Sequence, residues 1–511
     1  MSYQSLASWA MANMSIGTAF AWLGVTSLLW YFASGAYFAF CHPLAKIPGP
    51  RLYAISQLPY LYHLVRGDWH QVLKQLHDQY GPAVRFTYND VSFITAESFK
   101  TIYGHKNGGQ KTFEKSIRRD TSIDQVDHII DANNEDHKRM RRLLSHAFSD
   151  KALRNQEDIL QFYVDKFIEK LSDRARQAVV VDIVGWYNFA TFDLIGDLAF
   201  GQPFGCLESG GYHPWVQMIF QSVKLFPFQE VAGRLGVQRL APLLTPGHVK
   251  RGARDHHLLS QQTAMRRLES RNTDREDFMS YFLRHNENKG GLSVPEIVGN
   301  SSILIIAGSE TTATLLSGTT FQLLKNPAVY KKLVTEIRSS FNSAQEITVE
   351  RVGQLQYLLA VFNEGFRMYP PVPSSLPRVS PLGGDFIDGF WIPENTVVSV
   401  PHWSAFKSAH NFRNPEEFHP ERWLHDPEYA GDSREVLQPF SMGPRNCIGK
   451  KIPHVNSLAY AEMRLILVRL LWKFDIEMMP ESRDWDKQGV YVLWEKGELK
   501  IKLTEFTRDS Q

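Results

Sequence analysis

The stretch from Ser293 to Leu324 constrains the fold most tightly. Beyond Glu296 it carries one charged residue, Glu310, and is otherwise apolar, small or hydroxylated. Ser293 followed three residues later by Glu296 is the pattern of a capping box, so a helix is expected to start there. A helix apolar around its whole circumference belongs in the middle of a large domain, and 511 residues suffice for one large core. Hydrophobic residues at 43% and charged ones at 22% are those of an ordinary globular chain. A net charge of +2 gives no argument for nucleic-acid binding.

Inside this helix lies Ala307-Gly308-Ser309-Glu310-Thr311-Thr312. A glycine in a helix interior costs about 1 kcal/mol relative to alanine. Small residues at Ala307 and Gly308 would offset that cost by letting a flat ligand approach. The Thr311 hydroxyl can bond the carbonyl of Ala307 and bend the helix locally, leaving room for a small molecule beside an acid. The plainer alternative is a core helix whose glycine serves packing.

A second feature is Phe440-Ser441-Met442-Gly443-Pro444-Arg445-Asn446-Cys447-Ile448-Gly449. It holds a lone cysteine between two glycines, where backbone can approach a large ligand closely. Arg445 favours thiolate and Phe440 offers an apolar wall, which suits a sulfur bound to haem iron. A buried structural cysteine is the ordinary alternative. Cys41, Cys206 and Cys447 are the only cysteines and lie far apart. They build neither a disulfide framework nor a zinc site, and a reducing compartment is expected.

The spacing Phe-x-x-Gly-x-Arg-x-Cys-x-Gly resembles the haem-binding signature of the cytochrome P450 superfamily, and Ala307–Thr312 matches its oxygen-activation motif. The family also carries a Glu-x-x-Arg pair joined by an arginine from a Pro-Glu-Arg segment. Glu364 and Arg367, on a helix read from Tyr357 to Tyr369 and ended by Pro370-Pro371, and Arg422 in Phe418-His419-Pro420-Glu421-Arg422-Trp423 match it. The resemblance covers about residues 46 to 505. It implies a mainly α fold with small β-sheets and a long central helix over haem b.

On that resemblance Cys447 is the axial iron ligand. Arg141, Arg378 and Arg445, with His137, are expected on the propionates. Phe440, Gly443, Gly449, Ala307 and Gly308 are expected against the macrocycle. Thr311 and Glu310 are expected to deliver protons, Glu310 linking Thr311 to solvent. Glu364, Arg367 and Arg422 are expected as scaffold, and Ser374, Ser375 and Leu376 as pocket residues. The implied reaction is a monooxygenation using O2 and electrons from NADPH through a flavoprotein NADPH–cytochrome reductase, with a cytochrome b-type protein as a further donor. The substrate class is a small lipophilic molecule. The run from His137 to Ala152 is most similar to fungal members, which suggests a secondary metabolite such as a polyketide, terpenoid or alkaloid, with sterol or fatty-acid oxidation as the alternative. A reductase-independent isomerase or dehydratase, and a non-enzymatic haem protein, keep the fold but not the reaction.

The N-terminus adds a membrane anchor. No Asp, Glu, Lys or Arg precedes Lys46, and Ile16 to Cys41 is apolar or small almost throughout. About 20 residues span a bilayer as a helix. Lys46 and Arg51 follow the span and place the rest of the chain on the cytosolic side of the endoplasmic reticulum membrane. Residues 1–45 are thus read as a single-pass anchor, 46–53 as a hinge around Ile47-Pro48-Gly49-Pro50, and 54–511 as the catalytic domain. Asn13 fits a glycosylation triplet too near the membrane to favour its use.

The rest of the chain reads more coarsely. Trp69 to Tyr80 has helical periodicity, and Ala83 to Thr95 reads as strands turned at Asn89-Asp90. Gly104 to Asp131 reads as a loop, and helices are expected over Asp136–Phe148, Gln156–Arg176 and Asp182–Phe200. Phe386 to Trp391 reads as a hairpin, and residues 204–256 give little signal. One departure from the family pattern follows the cysteine. Lys450 to Asn456 separates it from Ala461-Glu462-Met463-Arg464 by about six extra residues, including Pro453, which a helix interior resists. The helix is expected to restart at Asn456 or Ser457.

Overall fold

The computed structural model describes residues 16–507, apart from 110, 117–127, 224–225, 238, 240–246, 271–276, 286–289 and 451–456. Asn13 and the insertion at 451–456 lie outside the described residues, as does much of the loop expected before Asp131.

Ile16–Ala36 is α-helical and continues as a π-helical turn over Tyr37–Cys41. Gly17–Cys41 is long and apolar enough to cross a membrane. Phe20, Trp22, Leu29 and Trp30 are exposed, so this helix does not bury its apolar surface within the fold. The Pro-Gly segment after it is pinned to the sheet rather than standing free. The Arg85 N–H donates to the Pro48 carbonyl at 2.8 Å, and the Arg85 guanidinium donates to the Phe38 carbonyl at 2.7 Å.

The long helix spans Val294–Lys325, and Ser293 and Glu296 form the expected reciprocal cap. It packs most extensively on Ile183–Phe200, every residue of which is buried. Asp182 caps that second helix by accepting from the N–H groups of Val184 and Gly185. Gln356–Met368 and Leu458–Lys473 complete the surround. Ser457 caps the last of these, where the restart was expected.

Strands gather into small sheets. Ala83–Arg85 pairs antiparallel with Asp90–Phe93, which lies parallel to Val397–Ser399; Arg378–Val379 and Glu114–Lys115 extend the sheet. Phe474–Met478, Lys500–Glu505 and Val181–Asp182 form a second, and Asp385–Ile387 with Phe390–Ile392 the expected hairpin.

Three boundaries differ from the sequence reading. The basic helix runs over Asn134–Leu144 and tightens to a 3-10 turn at Ser145–Phe148, because Asn133 caps it earlier. The next helix starts at Asp150, where Ser149 accepts from the Ala152 N–H. Residues 204–256, nearly signal-free in sequence, contain helices at Pro214–Val223 and Phe226–Arg234 and the start of Gly247–Glu269. The second is tied down by the Arg234 guanidinium, whose two nitrogens sit 2.7 and 2.8 Å from the Asp90 carboxylate.

Candidate active site

The cysteine loop is a set of tight turns. The Cys447 N–H donates to the Phe440 carbonyl at 2.9 Å, and the Asn446 N–H to that of Gly443 at 3.2 Å. Phe440 packs edge-on against Phe366 and beside Tyr460, fixing the loop to two helices. Cys447 is solvent-accessible, yet dense protein around it pushes its thiol pKa up. Both hold for a side chain lining an internal cleft. Opposing the burial, the N–H groups of Gly449 and Lys450 and the charges of Arg141 and Lys450 favour the thiolate. A bound metal would supply the remaining stabilisation, since ligand cysteines are deprotonated.

The two glycines differ in what requires them. Gly443 has φ +70°, and a Cβ there would meet the Tyr103 carbonyl oxygen at 1.9 Å. Its constraint is the neighbouring backbone, not the approach of a ligand. A Cβ on Gly449 would meet Cys447 Sγ at 3.7 Å, so this glycine lies directly beside the sulfur.

Beside the loop, positive charges converge on His137. Burial, together with Arg445, Arg141, Lys115 and Arg378, holds its imidazole neutral, with a pKa lowered to about 3. The same crowding acts within the cluster. Lys115 is lowered to about 8 by burial and by Arg378, and Arg445 to about 10 by burial and by Arg378. Arg378 is 5% exposed and stacks over the Tyr103 ring. Arg141 donates to the main chain and side chain of Asn446, stitching the basic helix to the cysteine loop. Arg445 donates to the Ala132 carbonyl at 2.7 Å and to Asn134 Oδ1 at 3.0 Å. Cations held this close repel one another, and a dianion among them removes that repulsion. The donor set therefore fits a pair of carboxylates such as haem propionates.

On the long helix, the Thr311 hydroxyl donates to the Ala307 carbonyl at 2.7 Å, as its spacing predicts. Ala307 is exposed in the middle of a helix otherwise mostly buried, so it faces the cleft. Two expectations need correction. Gly308 faces the other way, where a Cβ would come within 2.7 Å of Ile195 Cδ1, so this position meets the neighbouring helix and not a flat ligand. Glu310 does not open onto solvent: it is buried and ion-paired with Lys496. Thr312 donates to the Gly308 carbonyl and lies 3.3 Å from Glu462 Oε2, a carboxyl that burial pushes up to about 8.

Glu364 and Arg367 form a fully buried pair at 2.8 Å, and Arg422 Nε reaches the same carboxylate at 3.1 Å. Arg367 donates onward to the carbonyls of Phe406, Pro415 and Glu417. Asp432 and Trp423, not foreseen from the sequence, complete the network on Arg422 and Glu364. Every lone pair of Glu364 that matters is thus satisfied, which is what a buried charge requires.

The expected pocket segment is only partly free. The Ser374 hydroxyl donates to the Val492 carbonyl at 2.9 Å, and Leu376 packs against the sheet core while its carbonyl accepts from the Tyr103 hydroxyl. Ser375 is half-buried. Lys115 and Lys496 join the site although no local pattern marks them. Tertiary contacts alone bring them in.

A cysteine loop with thiolate-favouring N–H groups, a cationic cradle and a hydroxyl-bearing central helix together define a haem-thiolate protein. The chain belongs to the cytochrome P450 family, whose model matches residues 47–503. It is 43% identical over 468 residues to the cytochrome P450 monooxygenase astA of Talaromyces wortmannii, covering 91% of this chain and 93% of that protein. It is 40% identical over 480 residues to an averantin hydroxylase of Dothistroma septosporum, covering 93% and 89%. It is 42% identical over 476 residues to a trichothecene C-4 hydroxylase of Trichoderma arundinaceum, covering 91% and 93%. The protein is a P450 monooxygenase, and the isomerase and haem-sensor alternatives are not favoured.

Proposed function

We propose that this monooxygenase hydroxylates a lipophilic secondary metabolite, using haem b held through Cys447, with electrons from NADPH delivered by a flavoprotein reductase. Bound haem supplies the activation of O2 and the insertion of one oxygen atom into the substrate. Arg378, Arg445 and Arg141 would hold the propionates, with Lys115 beside them and His137 as a neutral hydrogen-bonding partner. Thr311 would hold a proton in front of the haem, its hydroxyl anchored to the Ala307 carbonyl. Glu364, Arg367 and Arg422 keep the cysteine loop in place from behind. The apolar helix Gly17–Cys41 would anchor the enzyme in the endoplasmic reticulum membrane with residues 54–511 on the cytosolic side. Hydroxylase relatives support the substrate class, since their names specify hydroxylation of averantin and of a trichothecene.

The observation that carries this reading is the setting of Cys447, where an accessible sulfur is flanked by N–H donors and cations in the heart of the protein. Replacing Cys447 with Ala is expected to abolish the thiolate-type band of the reduced carbon monoxide complex and NADPH-dependent turnover. An unchanged band would overturn the ligand assignment.

A further inference from the structure

The end of the membrane-crossing helix is fastened by a residue far from it in sequence. Arg85 closes the first strand, Ala83–Arg85, and is 3% exposed. Its Nη1 donates to the Phe38 carbonyl at 2.7 Å, its Nη2 to that of Tyr88 at 2.7 Å, and its Nε to that of Thr87 at 3.2 Å. Among the described residues no carboxylate pairs with it, and burial lowers its pKa to about 10. Phe38 lies in the π-helical turn Tyr37–Cys41 that ends the anchor. The last carbonyls of a helix have no partner within it and carry its partial negative charge, so a cation there is favoured. Arg85 supplies that cap from the sheet.

Further contacts close the same joint. The Phe38 ring packs on that of Tyr88 with centroids 5.2 Å apart, and the Arg51 guanidinium lies over the Phe40 ring. Gly35 and Ala39, one turn apart, are buried while most of the anchor is exposed. A Cβ on Gly35 would come within 2.8 Å of Ile55 Cγ2, so the last turns seat directly on the short helix Arg51–Ile55. Gly49 comes so close to the Arg85 carbonyl oxygen that a Cβ there would collide with it, and the Arg85 N–H donates to the Pro48 carbonyl. One arginine thus holds the anchor through its side chain and the Pro-Gly segment through its backbone. A loosely tethered domain needs none of these contacts, since a link of a few residues would suffice.

We propose that Arg85 locks the membrane helix to the catalytic domain and so fixes that domain at one angle to the bilayer. This rests on the membrane-anchor reading above. The anchor is held by two different elements, Arg85 from the sheet and Ile55 from the short helix, which removes the swivelling that a single contact would leave. Residues 43–50 then form a closed clasp and not a swivel. Arg85 is a positioning residue, acting on encounter and not on the reacting atoms. Docking of two specific patches is slowed by the orientations both partners must search. A domain locked to its anchor searches only by diffusing in the membrane plane and turning about the membrane normal, which suits an electron donor held in the same bilayer.

The test uses the full-length holoenzyme in aligned bilayers and reads the linear dichroism of its haem absorption, the haem serving as a reporter fixed in the catalytic domain. Wild type should give a dichroic ratio clearly away from the isotropic value. Arg85→Met should roughly halve that departure, as a swivelling link would, while the dithionite-reduced carbon monoxide band keeps its full amplitude. Gly35→Leu probes the joint at its other contact and should bring a similar loss, which Ile55→Ala in the same chain partly restores. Should Arg85→Met not fold, this second pair carries the test. With flavoprotein reductase in the same vesicles, NADPH-driven formation of the carbon monoxide band should slow about threefold in both single variants. An isotropic wild type, or wild-type dichroism in both Arg85→Met and Gly35→Leu, overturns the proposal. Release of the wild-type protein from membranes by alkaline carbonate would instead overturn the anchor reading.

Discussion

Gly443 and Tyr103 touch backbone to backbone. A Cβ on Gly443 would sit 1.9 Å from the Tyr103 carbonyl oxygen, and the glycine holds φ +70°. The same tyrosine donates through its hydroxyl to the Leu376 carbonyl, accepts from the Val400 N–H, and lies beneath the Arg378 guanidinium. One residue thus joins the cysteine loop, the expected pocket segment and the cationic cradle. Gly443→Ala combines a left-handed strain of about 1–3 kcal/mol with a clash that only backbone movement relieves. We expect the haem-to-protein ratio of the purified variant to fall several-fold.

Gly308 is fitted to Ile195 across the contact between the long helix and Ile183–Phe200. Inserting a methyl into a filled contact costs about 1–3 kcal/mol. Gly308→Ala should therefore lower stability by that amount in urea unfolding, and Ile195→Ala in the same chain should restore part of it. If the glycine instead served ligand approach, the second substitution would only add to the damage.

The Glu364 carboxylate holds Arg367, Arg422, the His419 N–H and Trp423 at once, all without solvent contact at the charged groups. Breaking one partner of a buried pair costs about 3–5 kcal/mol, because the other charge is left unpaired. Arg367→Leu should leave little soluble haem-loaded protein, measured by absorbance of the purified fraction. Lys100, paired with Glu435 at the surface, is the control, and Lys100→Leu should change almost nothing.

Glu462 gives a pH dependence of known sign. Burial raises its carboxyl from 4.5 to about 8, so the folded chain keeps a proton that the unfolded chain releases. Its contribution to stability is full below the unfolded value near 4.5 and is lost as pH rises towards 8. The slope in that window is about 1.4 kcal/mol per pH unit. Glu462→Gln removes the dependence, so its advantage over wild type should grow between pH 5 and pH 8, on the order of a few kcal/mol, in denaturant titrations at several pH values.

How much of this could be read from the chain depended on whether the signal was local. The cap at Ser293, the Thr311-to-Ala307 bond and the helix restart at Ser457 all depend on residues within a few positions, and the structure shows each; the strand turn read at Asn89-Asp90 falls just earlier, with Asp90 already in the second strand. Helices in the 204–256 region lacked such a signal, because contacts such as Arg234 with Asp90 hold them from outside.

The sequence by itself determined the cysteine in its glycine-flanked loop, the acid–threonine pair, the Glu-x-x-Arg pair and the uncharged N-terminal run, since each is a spacing that one stretch of backbone enforces. Only the tertiary structure decided which way those side chains face. Gly308 turned out to serve Ile195, and Glu310 turned from solvent to Lys496. Lys115 entered the cradle from a strand paired with Arg378. Side-chain direction follows from which distant element packs on each face, and that is settled by burial across the whole core.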